Sequence, residues 1–179
     1  MNITPSGQAC GARITGLDLS KPLPTNTLRG IRDAWLEHHV LAFPDQQLDD
    51  EDLVRVTQAL GGIGDDPFFV PINKKTPVVA LTRRADEQAP VFAENWHTDW
   101  SFKKHPPIGT CLYSLVVPPV GGNTGFANQQ MALAQMPDEL RSRLEGKVAL
   151  HSAAAAYGPQ GTYGEKDQGN DRSMKILFS

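Results

Sequence analysis

Two side chains that can bind a metal stand two residues apart, His97 and Asp99, in the stretch Asn95-Trp96-His97-Thr98-Asp99-Trp100-Ser101-Phe102. In an extended segment, residues at this spacing point to the same face, separated by about 6.6 Å of rise. An imidazole and a carboxylate so placed can lean onto one ion, each at about 2.0–2.2 Å. With one further His they make the 2-His-1-carboxylate face of non-haem iron sites, which leaves coordination positions open. Taken alone, His-x-Asp is equally the pattern of a surface His beside a solvated Asp. No HExxH pair is present, so the ligand-and-base set of the zinc hydrolases is missing.

The elements that would carry this pair read as short segments punctuated by fourteen prolines and sixteen glycines, more than a helical protein would hold. Arg13–Leu19 reads as a strand, stopped by Pro22 and Pro24. Thr25 is the expected N-cap of a helix with Leu28, Ile31, Trp35 and Leu36 on one face. Val40–Phe43 reads as a buried strand. Asp49 caps a second helix that presents Leu53, Val56 and Leu60 and stops at Gly61-Gly62. Pro77–Thr82 and Ile108–Val117 read as strands, the second turned by Pro118-Pro119-Val120-Gly121-Gly122. A short helix is expected over Gln129–Ala134. Another begins at Pro137, buries Leu140 and Leu144, and ends at Gly146. Lys147–His151 reads as a strand and Tyr157–Arg172 as a loop. Met174–Phe178 opens a last strand whose sheet neighbours are expected to lie outside the chain.

At 179 residues the chain suits a single domain, 1–179. A net charge of −3, with Lys and Arg scattered, provides no phosphate-binding stripe, so nucleic acid is not an expected partner. No apolar run approaches the roughly 20 residues that cross a bilayer, so no membrane partner is expected. Met1–Ala12 lacks the basic and apolar regions of a signal peptide. Cys10 and Cys111 form no CxxC pair, and a reducing cytoplasm is the expected location. A small-molecule substrate is expected, and a homo-oligomer is left open.

The string WHTDWSF, Pro106-Pro107 opening a strand, and Gly121-Gly122-Asn123-Thr124 closing it together resemble the taurine/2,4-dichlorophenoxyacetate dioxygenase family (TauD/TfdA). GLDLS near the N-terminus and HHVLAFPDQ at His38–Gln46 are similar to that family too, so the likeness covers nearly the whole chain. The fold it implies is mainly β with flanking helices, a double-stranded β-helix of jelly-roll type. The activity it implies is an oxidoreductase that uses Fe(II), 2-oxoglutarate and O2. Such an enzyme oxidises a C–H bond of a small, carboxylate-bearing organic molecule and releases succinate and CO2.

Carried over position by position, His97 and Asp99 match the first two iron ligands. Thr124 matches the threonine that hydrogen-bonds the distal carboxylate of 2-oxoglutarate. Trp100 matches a position lining the substrate pocket, to which Phe69 is also assigned. Asn95 and Trp96 hold the metal loop without chemistry of their own. Departures bear on the substrate. Ala93 stands where taurine-type members have an Asn. Asp66-Pro67-Phe68-Phe69-Val70-Pro71-Ile72 gives an apolar lining where they place a His and a Tyr, which disfavours taurine. Phe126 after GGNT is closer to the phenoxyacetate branch.

The family's second His and its 2-oxoglutarate Arg are not found here. His105 sits in a Lys-Lys-His-Pro-Pro turn, His151 has no Arg about ten residues on, and His38 and His39 flank a strand. The chain is therefore read as lacking its C-terminal strands and as inactive by itself. The alternative is a metal- or ligand-binding jelly roll without turnover.

Overall fold

The computed structural model describes residues 1–64, 69–84, 86 and 95–154, together with the backbone of 174–178. The loop expected at 157–172, Ala93 and the stretch Asp66–Phe68 lie outside the described residues. The chain divides into two compact units, residues 1–52 with 121–149 and residues 53–120 with 150–179.

In the first unit, β1 (Asn2–Pro5) pairs antiparallel with β2 (Ala12–Thr15), with Asn2 opposite Thr15 and Pro5 opposite Ala12. β2 in turn pairs in parallel with β3 (Leu41–Ala42). β2 is shorter than the expected Arg13–Leu19, because Gly16 takes φ 75° and turns the chain. Ala12 and Ile14 alternate inward and are buried, as a half-buried strand requires. β3 is only half-buried rather than buried, since it lies at the edge of its three-stranded sheet.

Between β2 and β3 runs α1 (Thr25–His38), whose buried face is Ile31 and Ala34. Pro24, not Thr25, occupies the cap position. Its extended backbone offers a carbonyl to Leu28 N–H at 3.0 Å, so Thr25 already enters with helical geometry. Leu36 faces outward, 67% exposed, one residue off the apolar stripe. His39 closes the helix in the left-handed region at φ 65°, its N–H donating to Trp35 O at 2.7 Å.

The GLDLS and HHVLAFPDQ segments meet through the Gln46 amide. Its Oε1 accepts from Leu19 N–H at 2.8 Å, and its Nε2 donates to Leu17 O at 3.2 Å and Pro44 O at 3.0 Å. A single polar side chain thus satisfies backbone groups of two loops that have no ladder partners.

α2 (Asp50–Leu60) starts as the sequence predicts. Asp49 Oδ1 accepts from Asp52 N–H at 2.8 Å, and Asp52 Oδ2 accepts in return from Asp49 N–H at 3.4 Å. It ends at Gly62, φ 96°. Leu53, Val56 and Thr57 are its buried residues.

The second unit centres on Leu53 and Val78, 1% and 0% exposed, with Val54, Ile63, Ile72, Cys111 and Tyr113 packed around them. Here β4 (Val79–Leu81) and β5 (Thr110–Ser114) both pair antiparallel with β6 (Met174–Phe178), in the order β4-β6-β5. Met174–Phe178 is thus the central strand of a sheet built wholly within the chain, not a strand whose neighbours lie outside it. Leu81 and Ser114 both sit opposite Met174, so the flanking strands supply the backbone partners from either side.

α3 (Gln129–Ala134) matches its expected bounds, and Asn128 Oδ1 caps it by accepting from Met131 N–H at 3.0 Å. Pro137 stands at the cap of α4 (Asp138–Leu144) rather than inside it. Leu140 and Leu144 are exposed by 40% and 49% instead of buried. Lys147–His151 forms no strand: it runs without a ladder partner, with Val148 and Leu150 almost fully exposed.

Cys111, on β5, is held in the apolar cluster beside Leu53 and Val78. Burial pushes its thiol above the usual range, and a hydrogen bond with Thr57 opposes this only in part. Thiolate is the reactive form. Iodoacetamide at pH 8 should therefore modify Cys111 more slowly in the folded protein than after urea unfolding. Equal rates, read by peptide mass spectrometry, would contradict the packing.

Candidate metal centre

His97 and Asp99 lie in the second unit, on the segment that leads to β5. The His97 ring is fixed from behind by its own loop, with Nδ1 2.8 Å from the backbone oxygen of Asn95. A carbonyl can only accept, so Nδ1 carries the proton and the Nε2 lone pair faces forward. Nε2 then meets Asp99 Oδ1 at 3.0 Å. Two acceptors at this distance repel unless positive charge lies between them. A proton on Nε2 would make an ion pair; a divalent cation would make a ligand pair.

The separation fits both, 3.0 Å being also an ordinary N–H···O distance. Two donors at right angles, each about 2.1 Å from a metal, stand roughly 3.0 Å apart. The donor set is also the right one, since imidazole and carboxylate are the ligands of a non-haem iron face. Exposure disfavours a stabilising ion pair, because the side chains are 50% and 37% exposed. Pairs in such surroundings contribute little to folding.

The other Asp99 oxygen is also held. Thr110, the first residue of β5, donates its hydroxyl to Oδ2 at 2.5 Å. This contact had no signal in the sequence beyond a Thr at the start of a β-like run, eleven residues from the carboxylate.

Trp100, directly after Asp99, takes φ 52°, a backbone conformation that bulky residues rarely adopt. The conformation is enforced by packing. Trp100 is 5% exposed, meets Phe69 edge-on at 6.2 Å and Phe102 at 5.5 Å, and carries Lys103 Nζ 5.2 Å above its ring. Lys103 N–H closes the turn on Trp100 O at 2.9 Å. The chain therefore doubles back right after the carboxylate, which keeps Asp99 facing His97. Phe69 is partly buried against this indole, while Val70 beside it is 70% exposed. Trp96, on the other side of His97, is 76% exposed.

The remaining histidines stay apart from the pair. His105 is exposed in its turn. His151 Nδ1 lies 2.9 Å from Ser101 Oγ, so it touches the loop after Asp99 and not the pair itself. Among the described residues no group of three or more His, Cys, Asp and Glu side chains gathers to hold a metal. Thr124 belongs to the first unit, on an exposed stretch after Gly121 and Gly122, both at positive φ.

The family model for "Taurine catabolism dioxygenase TauD, TfdA family" matches residues 2–175. An alkylsulfatase of Acinetobacter baylyi is 36% identical over 170 residues, 94% of this chain and 52% of its own length. An alpha-ketoglutarate-dependent sulfate ester dioxygenase of Pseudomonas putida is 33% identical, with 88% of this chain and 51% of its own length covered. Among solved structures, a taurine dioxygenase from Burkholderia xenovorans is similar with a TM-score of 0.68 at 28% identity, covering 81% of this chain and 51% of that one. AAD-2 in complex with Mn(II) and N-oxalylglycine is similar with a TM-score of 0.64 at 26% identity, covering 80% of this chain and 52% of that one. The chain spans about half the length of the curated relatives it matches.

A half-exposed His–Asp pair contributes little to folding, so Asp99→Ala should change the unfolding free energy by no more than about 1 kcal/mol. Denaturant titration checks this, and a loss of several kcal/mol would mark the pair as structural.

Proposed function

Because the chain belongs to the TauD/TfdA dioxygenase family, we propose that His97 and Asp99 hold Fe(II) in a 2-oxoglutarate-dependent dioxygenase. The observation that carries this reading is the 3.0 Å approach of His97 Nε2 to Asp99 Oδ1, with Nδ1 turned to the Asn95 carbonyl. Bound Fe(II), with 2-oxoglutarate and O2, supplies the oxidation of a C–H bond with release of succinate and CO2. The protein's own contribution is position. Asn95 O fixes the His97 tautomer, Thr110 steadies Asp99, and the packed Trp100 keeps the loop turned. The domain proposed is a single double-stranded β-helix over 1–179, and the family match across nearly all of the chain supports one domain.

Thr124 is proposed to donate its hydroxyl to the distal carboxylate of 2-oxoglutarate, on the resemblance of GGNT to the family's motif. The third ligand and the 2-oxoglutarate Arg are proposed to be contributed outside the described residues. For the substrate, Phe69 packed edge-on to Trp100 supports a small anion with an apolar body over taurine, and both are proposed as pocket residues, while Val70 faces outward and Ile72 packs in the core. Relatives named for sulfate esters and for 2,4-dichlorophenoxyacetate support the same class. We therefore propose an alkyl sulfate ester or an aryloxy carboxylate.

The test is succinate release by the full-length protein with Fe(II), O2 and 2-oxoglutarate, with and without a chelator, over alkyl sulfates, aryloxy carboxylates and taurine. Release should require iron and couple well to the first two classes and poorly to taurine. In the same assay Thr124→Val should weaken 2-oxoglutarate binding about ten- to a hundredfold, since a hydrogen bond to a charged group contributes roughly 1.5–3 kcal/mol. Release indifferent to the chelator would overturn the reading. Iron binding without release on any substrate would leave a metal-binding jelly roll.

A further inference from the structure

We propose that Thr110 is a positioning residue of the metal centre: by holding Asp99 Oδ2 it makes Asp99 a ligand through Oδ1 alone, beside His97 Nε2. This rests on the metal reading given above and adds to it a residue that no ligand motif includes. The two Asp99 oxygens have separate partners, Oδ1 facing His97 at 3.0 Å and Oδ2 taking the Thr110 hydroxyl at 2.5 Å. An ionised carboxylate can only accept, so the hydroxyl must be the donor.

The consequence for coordination follows from counting positions. A free carboxylate can chelate through both oxygens and then occupies two positions. A 2-His-1-carboxylate face is useful because its open positions remain available to other ligands. Tying Oδ2 to Thr110 opposes chelation and keeps that count. The anchor is stiff for two reasons. Threonine is β-branched, so its hydroxyl has few rotamers to wander among. Thr110 also begins β5, where its backbone is registered opposite Phe178 of β6. The sheet therefore aims a hydroxyl at the oxygen that should stay off the metal. Partners of this kind, which hold a ligand from behind, typically account for 10–100-fold in metal affinity.

The experiment is an anaerobic Mn(II) titration of the full-length protein, read by the EPR signal of free Mn(II), for wild type, Thr110→Val, Thr110→Ser and Asp99→Ala. Thr110→Val keeps the shape and the β propensity and loses only the donor. It should weaken Mn(II) binding about 10–100-fold, while Thr110→Ser, which keeps the donor, stays within about threefold of wild type. Rescue by Ser separates a hydroxyl role from a packing role. Asp99→Ala should lose binding altogether.

Unchanged Mn(II) affinity in Thr110→Val, with binding lost in Asp99→Ala, would overturn the role of Thr110 and leave the metal centre standing. Wild-type affinity in Asp99→Ala would overturn the metal reading itself. Should Thr110→Val lower the melting temperature of the metal-free protein, Thr110→Ser against Thr110→Ala decides. Retention with Ser and loss with Ala supports the anchor; equal affinities contradict it.

Discussion

A lone pair and a carboxylate oxygen held 3.0 Å apart need positive charge between them, and the local structure around His97 is arranged to keep them there. The Asn95 carbonyl takes the Nδ1 proton and so commits Nε2 to the front. The left-handed turn at Trp100 reverses the chain immediately after Asp99. Thr110 holds the rear oxygen of the carboxylate. Each contact is ordinary by itself. Together they fix which atoms face one another, and that arrangement is met by a proton on Nε2 or by a bound cation.

The strain at Trp100 shows what the scaffold contributes. A bulky residue at positive φ costs on the order of 1–3 kcal/mol and persists only where its surroundings over-determine it. Here the indole is buried among Phe69, Phe102 and the Lys103 side chain, and burying so large a ring offsets that cost. Behind this loop, the Leu53–Val78 cluster packs against Cys111 and Tyr113 of β5, the strand that also bears Thr110. The hydrophobic core of the second unit therefore sets the position of the hydroxyl that holds Asp99.

What could be read from the sequence follows the range of the interactions involved. The start of α2 was legible because Asp49 and Asp52 cap it within one turn, and its end because Gly62 supplies the positive φ. α3 has the bounds expected of it, and Asn128 caps it locally. Burial of Leu140 and Leu144, and the strand expected at Lys147–His151, depended on partners that no local pattern reveals. The same limit explains Met174–Phe178. Its apolar run marked a strand correctly, but pairing with β4 and β5 spans about a third to a half of the chain and cannot be read from periodicity. The approach of His97 to Asp99 was legible, since side chains two residues apart can share a face. Thr110 was not, since a Thr beginning a β segment already has a sufficient reason to be there.

If His97 Nε2 and Asp99 Oδ1 are ligands of one metal ion, as proposed, anomalous diffraction from crystals of the full-length protein grown anaerobically with Mn(II) tests it most directly. One anomalous peak is expected at about 2.1 Å from both atoms, with Asp99 Oδ2 still bonded to Thr110. A peak elsewhere, or a direct His97–Asp99 hydrogen bond with no metal between them at saturating Mn(II), would contradict it.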